Sequence, residues 1–400
     1  MKKLSFIVIL FLFVFPGLAR GFEYTGFLRN RLIKNSLSNS AILNPNNQLG
    51  LTDNSLENTN RLILKQIFDN AKVVLDLEGA KDILNDSQNY NIVVNESYYS
   101  FNVPSFNLLV GKKKIDWGTG FAWNPSDQIN KHKNPLDIYE NREGANLFKL
   151  DFGVFDSDIT GIYQLSSSES GSGRHIKISK NINNFNVAAY YSKILNENEF
   201  AGIMGTGYIT DRWEFHFETA TQKGRIQPLP NYNPVSGVYS YVADPDKNSL
   251  TTYLCGLRYS LSENNFYAIL EYYKNSRGYS GGEGQTYFDY LKAVEQKPVK
   301  TPIDNAYIAQ SLNISSTNFQ DQYAFVCLRK SNDLNTLEIG FDSIFSLADG
   351  SGVIIPLVKK VVVENLETQL RLLHFWGSNH SEYGNYPMKD EAIFDCVYYF

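Results

Sequence analysis

Along most of this chain, apolar and polar residues alternate at every second position. In the segment 213–218, three aromatic residues alternate with two glutamates and a histidine. Successive side chains of a β-strand point to opposite faces, so this pattern predicts strands with one apolar face and one polar face. No segment of useful length shows a helical period. The chain is therefore expected to be all-β.

Eighteen segments of about ten residues follow the alternating pattern, with turn-forming residues between them. They are 22–34, 60–69, 71–80, 92–102, 105–115, 145–153, 156–166, 174–182, 184–193, 200–210, 212–221, 251–261, 265–274, 322–331, 335–347, 351–360, 364–376 and 391–400. Strands of this length and an even strand number are typical of transmembrane barrels. We expect about 18 strands, with 16 as the second choice.

Tight turns alternate with longer connections along the chain. The connections expected on one side are about one to three residues long, whereas most of those on the other side are long. The long connections are 35–59, 81–91, 116–144, 222–250, 275–321 and 377–390. A soluble β-sandwich has no reason to sort its loops by length, whereas outer-membrane barrels combine short periplasmic turns with long extracellular loops. The pattern predicts a transmembrane antiparallel up-and-down β-barrel.

Residues 1–21 have the pattern of a secretory signal peptide. Lys2 and Lys3 precede an apolar run over residues 4–15, and small residues at Ala19 and Gly21 allow cleavage before Phe22. The run is shorter than the roughly 20 residues that a membrane-spanning helix needs. We expect an exported protein whose residues 22–400 form a single barrel domain.

Composition agrees with a barrel and excludes several other classes. Loss of the signal peptide removes three basic residues and no acidic residue, which changes the formal charge from −5 to −8. This acidic balance does not favour nucleic-acid binding. A mean hydropathy of −0.30 excludes a helical membrane protein, and aromatic residues make up 14% of the chain. Three scattered cysteines do not form a disulfide framework, and no spacing typical of a metal site is present.

The C-terminal segment carries apolar or aromatic residues at alternate positions: Phe400, Tyr398, Cys396, Phe394 and Ala392. This arrangement resembles the closing strand of bacterial outer-membrane β-barrels, whose terminal aromatic residue is read by the barrel-assembly machinery. The resemblance implies that Phe400 and Tyr398 form the assembly signal and that the last strand pairs with the first. The alternative is an ordinary amphipathic strand.

The segment 111–127 carries the sharpest local motif. It combines Gly111 and lysines with Trp117-Gly118 and Asn124-Pro125-Ser126-Asp127, and a second Asn-Pro-x-Asp follows at 134–137. It resembles porin-like outer-membrane families in which such a strand runs into an Asn-Pro-x-Asp loop. Weaker similarities lie in the stretches 349–356 and 377–384. Those families often carry Gly-Arg-Gln where this chain has Gly111-Lys112-Lys113, so no substrate is transferred by analogy.

The resemblance implies that the loop after residue 115 folds inward and narrows the pore. The residues then expected at the constriction are Lys113, Asp116, Trp117, Asn124 and Asp127. Alternatively, the motif is a scaffold that closes the barrel mouth, with Trp117 and Trp123 as packing anchors.

Charged residues on the polar strand faces are expected to face the lumen. Basic residues gather on the first strands and on the strand beside them across the expected seam, and acidic residues lie on later strands. They are Arg29, Arg31, Arg61, Lys65 and Arg371, and Glu214, Glu218 and Glu271. Opposed basic and acidic walls would create a transverse field that filters polar solutes. Alternatively, these residues only pair with one another and keep the interior wet.

The function expected from this pattern is an outer-membrane channel for passive or weakly selective passage of small polar solutes. A plugged barrel that binds an exported surface polysaccharide is the second hypothesis, and an exported β-protein outside the membrane is the third. No histidine lies in a Gly-x-Ser-x-Gly or similar context, so catalysis is not expected. The first strand starts at Phe22, which argues against the plug domain of a TonB-dependent transporter. No cofactor is expected.

Overall fold

The computed structural model describes most of the chain beyond the signal peptide. The described residues are 21–38, 42–44, 47, 49–85, 90–130, 132–138, 140–165, 171–195, 199–223, 229–233, 238–242, 249–297, 299–301, 304–305 and 319–400. Of the predicted signal peptide, residues 1–20 lie outside the described residues and Gly21 lies within them.

Eighteen strands of the described chain form one antiparallel sheet, which confirms the predicted fold class and strand number. These are β1 (Gly21–Leu37), β2 (Asn54–Ile67), β3 (Ala71–Asp82), β4 (Asn91–Val103), β5 (Phe106–Lys113), β6 (Ala145–Val154), β7 (Ser157–Gln164), β8 (Gly173–Ile182), β9 (Phe185–Ile194), β10 (Glu199–Thr210), β11 (Trp213–Lys223), β14 (Ser249–Leu261), β15 (Phe266–Lys274), β16 (Gln322–Ser331), β17 (Leu337–Ser346), β18 (Ser351–Val363), β19 (Leu366–Trp376) and β20 (Met388–Tyr399). Two short strands, β12 (Leu229–Asn233) and β13 (Val238–Val242), form a separate hairpin between β11 and β14.

The sheet closes on itself because β1 pairs with both β2 and β20. The ladder between β1 and β20 includes Phe27 opposite Tyr399 and Arg31 opposite Asp395. Beyond it, Gly26 and Phe400 exchange two backbone hydrogen bonds of 3.1 Å each. The predicted pairing of the last strand with the first is therefore present. The role of Phe400 and Tyr398 as an assembly signal stays a prediction.

The alternation of the sequence separates the two faces of the wall. Large apolar side chains such as Leu28, Leu32 and Phe394 are exposed on the outside, whereas Arg29 and Arg31 point inward. A closed sheet pairs its backbone groups within itself, which an apolar environment requires. Its apolar outer face is the surface expected to meet lipid. No helix of the described chain is long and apolar enough to cross a membrane.

Turns on one side of the barrel are short, and several need a backbone conformation that favours asparagine or aspartate. Asp156, Asn183, Asn265 and Asn335 have positive φ angles of 59°, 52°, 47° and 52° in these turns. The opposite side carries the long loops. The predicted loop 35–59 is shorter than expected, because β2 begins at Asn54 and pairs with an extended β1.

The long connection between β15 and β16 contains a helix that was not predicted from the sequence. Helix α1 (Gly281–Glu295) starts at a capping box in which the side chains and backbones of Ser280 and Glu283 bond reciprocally. Its buried face packs into a small aromatic cluster on the long-loop side. The cluster consists of Ile42, Leu43, Tyr279, Tyr287, Phe288, Tyr290, Leu291, Val294 and Phe319. The expectation that no helix would form was therefore wrong.

Closure at the seam makes a prediction for Gly26. A Cβ atom added there would clash with the carbonyl oxygen of Arg61 and lie 2.7 Å from the ring of Phe400. We expect Gly26→Ala to destabilise the barrel by about 1–3 kcal/mol, because the two neighbouring strands must move apart. The denaturant midpoint of the folded protein measures this. Gly161→Ala on β7 is the matched control, since no atom lies within 4 Å of its added Cβ. Equal midpoints for the two variants would contradict the prediction.

Candidate functional site

The described residues of the connection between β5 and β6 (114–130, 132–138 and 140–144) lie inside the barrel and are called the inner loop here. A main contact of this loop with the wall is made by Glu218 on β11, which has no exposed surface. The Glu218 carboxylate accepts hydrogen bonds from Gly120 N at 2.7 Å, Ser126 N at 3.1 Å and Ser126 Oγ at 2.6 Å. It also accepts one from Thr119 N. One carboxylate thus replaces the backbone partners that this stretch of loop lacks.

Glu271 on β15 holds the next two residues of the inner loop in the same way. Its carboxylate accepts hydrogen bonds from Phe121 N at 2.5 Å and Ala122 N at 2.8 Å. His216 Nε2 lies 2.8 Å from the same carboxylate, and both side chains are fully buried. Together, Glu218 and Glu271 fix the inner loop against the β11–β15 side of the barrel.

Two tryptophans of the inner loop pack between inward-facing aromatic side chains. The Trp123 ring stacks on Tyr273 with a centroid distance of 5.0 Å and an interplanar angle of 12°. Trp117 meets Tyr190 edge-on at 6.1 Å, and Lys177 Nζ lies 4.6 Å from the Trp117 ring. Both tryptophans are almost completely buried. This is the arrangement expected of packing anchors.

The residues predicted at the constriction stabilise the inner loop itself. Asp127 is 3% exposed and accepts hydrogen bonds from Ile129 N and Asn130 N, both at 3.1 Å, and from Asn130 Nδ2 at 2.8 Å. Asn124 Nδ2 donates to Trp117 O at 3.2 Å. For Trp117, Asn124 and Asp127, the geometry favours the scaffold alternative.

Lys113 and Asp116 also lie away from the open part of the barrel interior, a cavity of about 1010 Å³ that is called the main cavity here. Lys113 forms an ion pair of 3.0 Å with Glu96 and lies over the Tyr98 ring. Asp116 is exposed but does not line the main cavity. None of the five predicted constriction residues lines that cavity.

The main cavity has a volume of about 1010 Å³ and lies where the inner loop leaves the barrel open. Its walls come from β1–β3, from β17–β20 and from the inner-loop residues Asn134, Leu136, Asp137, Glu140 and Asn141. These loop residues were not among the candidates predicted from the sequence. A sequence feature could have identified two of them, because Asn134 and Asp137 belong to the second Asn-Pro-x-Asp segment.

The predicted lumen charges separate into two groups. Four of the predicted basic residues line the cavity: Arg29, Arg31, Arg61 and Arg371. Lys65 does not line it and pairs with Glu23 at 2.7 Å. Glu214 accepts a hydrogen bond of 3.0 Å from Thr206 Oγ1, away from the cavity. Because the inner loop covers Glu218 and Glu271, the expected acidic wall facing the open lumen is wrong for these two residues.

Charges of both signs are interleaved around the cavity, since five basic and eight acidic residues line it. Arg31 binds Asp395 through two hydrogen bonds of 2.7 and 3.1 Å. Lys359 pairs with Glu367 at 2.9 Å. The expected pair of opposed basic and acidic walls is therefore not present. Instead, basic and acidic side chains alternate over short distances around the cavity.

One ion pair joins the barrel wall to the inner loop beside the cavity. Arg371 Nη2 on β19 lies 2.9 Å from the Asp137 carboxylate, and the Arg371 side chain is 8% exposed. Because the other end of the loop is held by Glu218 and Glu271, the loop spans the lumen from β11 and β15 to β19. The described loop residues that line the cavity are Asn134, Leu136, Asp137, Glu140 and Asn141.

The long loops above the cavity meet at a buried carboxyl group. The Glu382 carboxyl group accepts a hydrogen bond from Tyr323 Oη at 2.6 Å, and Glu382 N donates to Asp349 Oδ2 at 2.8 Å. Burial raises the pKa of Glu382 to about 8, and the nearby Asp349 carboxylate adds to the rise. The same loop supplies Tyr386 to the cavity wall, stacked on Phe375 with a centroid distance of 4.1 Å.

The buried histidine of β8 lacks the surroundings of a catalytic base. His175 Nδ1 lies 3.0 Å from Ser192 Oγ, but His175 Nε2 contacts the amide oxygen of Gln164 rather than a carboxylate. The Trp117 ring lies edge-on to the imidazole at 6.2 Å. Within the described residues, no group of three or more His, Cys, Asp or Glu side chains is placed to hold a metal ion.

The sequence matches no protein-family model and no curated protein. The fold is similar to that of several solved structures over nearly the whole chain. OccAB1 of Acinetobacter baumannii has a TM-score of 0.59 at 9% identity, with 96% of this chain and 98% of that chain covered. OccAB4 of the same organism has a TM-score of 0.56 at 8% identity, with 96% and 100% covered. OccK5 (OpdH) of Pseudomonas aeruginosa has a TM-score of 0.54 at 11% identity, with 96% and 99% covered. At these identities the similarity shows a shared fold.

Removal of the Glu271 carboxylate tests how the inner loop is held. We expect Glu271→Ala to raise the hydrogen-exchange rates of the Phe121 and Ala122 amides by about tenfold or more, because each loses a hydrogen bond to a charged group. Exchange mass spectrometry of the folded protein measures this. Glu214→Ala is the matched control, since Glu214 is an inward-facing glutamate on β11 whose hydrogen bond goes to Thr206. Unchanged protection in Glu271→Ala would contradict the anchoring role.

Docking of the loop around Glu382 is expected to weaken as the pH rises. A folded-state pKa of about 8, above the ordinary 4.5, means that the docked loop binds the proton more tightly than the free loop. The stabilisation is therefore complete below about pH 4.5 and is lost as the pH rises through 8. The cleavage rate of residues 377–387 by proteinase K, divided by the rate for Glu382→Gln at the same pH, measures this. The ratio should increase from pH 5 to pH 9, and a constant ratio would contradict the prediction.

Proposed function

We propose that this protein is an outer-membrane channel for the passive or weakly selective passage of small polar solutes. The observation that carries the proposal is the cavity of about 1010 Å³ inside a closed barrel, lined by charged side chains of both signs. The structural neighbours are outer-membrane porins, which supports the same function. Channels of this kind need no catalytic group or cofactor.

The outer surface supports a location in the bacterial outer membrane. Large apolar side chains are exposed on the outside of the strands, including Ile176, Ile178, Leu270 and Leu370. Exposure of such a surface to water would be unfavourable, whereas its contact with lipid is favourable. Closure of the barrel also leaves the sheet without an unpaired edge. Lipid and the barrel-assembly machinery are therefore the expected partners of the wall.

Selectivity in the proposed channel depends on paired rather than free charges. Arg31 and Arg371 are each bound to a carboxylate, so a solute that contacts them competes with an existing ion pair. Such a lining attracts polar solutes of either sign but binds neither strongly. The cavity volume of about 1010 Å³ corresponds to the upper end of ordinary small-molecule sites, so the cavity can hold a small solute.

A plugged barrel that binds an exported surface polysaccharide is the second candidate. Helix α1 and its aromatic cluster give the long-loop side a packed structure, as a binding surface requires. The hairpin of β12 and β13 adds to this side, and Tyr232 on it is exposed. Exposed aromatic rings are suitable platforms for sugar rings.

Conductance in planar lipid bilayers separates the two candidates. We expect the purified mature protein to produce discrete conductance steps that scale with the salt concentration. Protein that inserts into the bilayer but does not conduct would overturn the channel proposal. If Glu218→Ala with Glu271→Ala then opened a conductance, the barrel would be one that its inner loop plugs, in agreement with the second candidate.

The Asp137 carboxylate provides a test of the cavity lining. Asp137→Asn removes one negative charge from the cavity and releases Arg371 from its ion pair. We expect the reversal potential in a salt gradient to shift toward anion preference and the single-channel conductance to change. Asp116→Asn is the matched control, since it removes one carboxylate from the same loop outside the cavity. Equal shifts in both variants would show that the cavity does not conduct the ions.

A further inference from the structure

The connection 377–387 between β19 and β20 is docked onto its neighbours by a buried carboxyl group. Glu382 in this connection is 4% exposed. Its carboxyl group accepts hydrogen bonds from Tyr323 Oη at 2.6 Å and from Phe319 N at 3.4 Å, at and just before the start of β16. Its backbone N–H donates at 2.8 Å to Asp349 Oδ2, in the turn between β17 and β18. One residue therefore joins three connections of the long-loop side.

Asp349 places a second carboxyl group beside Glu382. Besides the Glu382 N–H, Asp349 Oδ2 accepts a hydrogen bond from Gln320 Nε2 at 2.9 Å. Asp349 Oδ1 accepts from Ser351 N at 3.0 Å and from Ser351 Oγ at 2.7 Å. Within the described part of the chain, no lysine, arginine or histidine forms an ion pair with Glu382. Ionisation of Glu382 would therefore bring two negative charges together in a buried site, which is unfavourable.

Two contacts near Glu382 help to dock the same connection. His380 Nε2 lies 3.0 Å from Asp289 Oδ1 on helix α1, where both side chains are partly exposed. Tyr383 N donates a hydrogen bond of 3.2 Å to Ser351 Oγ. Exposed ion pairs contribute little to stability, so the docking depends mainly on the buried groups around Glu382.

The same connection forms part of the wall of the main cavity. Tyr386 of this connection lines that cavity. Tyr383 and Tyr386 belong to one buried hydrophobic cluster, and the inner-loop residues Leu136 and Ile138 pack against it. Leu136 lines the cavity as well. The connection and the inner loop are therefore packed together at the long-loop end of the cavity.

We propose that the Glu382 carboxyl group is a proton-controlled latch for the long-loop end of the main cavity. With its proton bound, the connection 377–387 stays docked and Tyr386 narrows the cavity. Loss of the proton drives Glu382 away from Asp349, and the released connection takes Tyr386 out of the cavity wall. This inference rests on the channel function proposed above, because it describes how the opening of the same cavity is regulated.

The pH range of the latch follows from the surroundings of Glu382. Burial raises the pKa of Glu382 to about 8, and the Asp349 carboxylate adds to the rise. The hydroxyls of Tyr323, Tyr383 and Tyr386 also face Glu382, and they bring no positive charge. Docking is therefore most favourable below about pH 4.5 and weakens until the pH reaches about 8. Between these values, each pH unit favours the released connection by about tenfold.

Single-channel recording in planar lipid bilayers from pH 5 to pH 9 tests the latch. We expect the wild type to switch between a smaller and a larger conductance. The ratio of the time in the larger state to the time in the smaller state should rise by about tenfold per pH unit up to pH 8 and then level off. Glu382→Gln should stay in the smaller state at every pH, because glutamine is neutral like the protonated carboxyl group.

His380→Gln is the matched control, since it removes the other titratable contact of the same connection. It should keep the pH dependence of the wild type. A pH dependence that is lost in His380→Gln and kept in Glu382→Gln would overturn the proposal. Wild-type protein that conducts equally at every pH would overturn the latch and leave the channel function intact. Wild-type protein that conducts at no pH would overturn the channel function, and the latch with it.

The role of Tyr386 in narrowing the cavity has its own measurement. Tyr386→Ala should show the larger conductance already at pH 5, because it removes the ring that the docked connection places in the cavity wall. The heat-dependent gel shift of a folded barrel shows that the variant is intact. A folded Tyr386→Ala protein that keeps the smaller conductance at pH 5 would contradict the proposed position of the gate.

Discussion

Backbone groups of the inner loop must find partners inside a barrel whose strands are already paired with one another. Glu218 and Glu271 solve this problem, because their carboxylates accept hydrogen bonds from five backbone N–H groups and two hydroxyl groups of residues 119–126. The position of the loop then decides everything else about the interior. It covers Glu218 and Glu271 on β11 and β15 and leaves the side of β1–β3 and β17–β20 open. Its residues Asn134, Leu136, Asp137, Glu140 and Asn141 line the cavity.

The strand pattern could be predicted from the sequence because it depends on neighbouring residues alone. The alternation in Trp213–Lys223, for example, marks the two faces of β11 without any knowledge of its neighbours. The start of β2 could not be found in this way, since Asn54 and Ser55 are polar and join the ladder only because β1 extends beside them. Helix α1 carried a capping box and an apolar face, but its buried side depends on Phe319 and Leu43, which are distant in sequence.

The candidate site was harder to predict because two similar segments have different roles. Asp127 and Asp137 both end an Asn-Pro-x-Asp sequence. The Asp127 carboxylate accepts a hydrogen bond from Asn130 within the same loop, whereas the Asp137 carboxylate pairs with Arg371 on β19. The difference lies in contacts with residues far along the chain, so spacing alone cannot decide which carboxylate meets the cavity. In the same way, Glu218 and Glu271 have the pattern of lumen charges, and only the position of the loop removes them from the lumen.

Polar groups on both faces of the barrel wall need hydrogen-bond or ion-pair partners, but only those on the inner face find them within the chain. Inside, Arg31, Arg371 and Lys359 are each matched by a carboxylate of this chain, so the interior can stay polar without an added partner. Outside, Asn60 donates a hydrogen bond to Asn58 and Asn58 donates one to Asn30, each between side-chain amides. The Asn30 amide nitrogen has no acceptor within the described part of the chain, although Leu28 and Leu32 beside it are exposed apolar residues. A polar group that has a partner within the chain needs no further explanation. A polar group without one indicates that a polar neighbour from outside the chain lies next to it. The outer surface around Asn30, beside the pairing of β1 with β20, is therefore a part of the wall where hydrocarbon alone leaves a polar group without a partner.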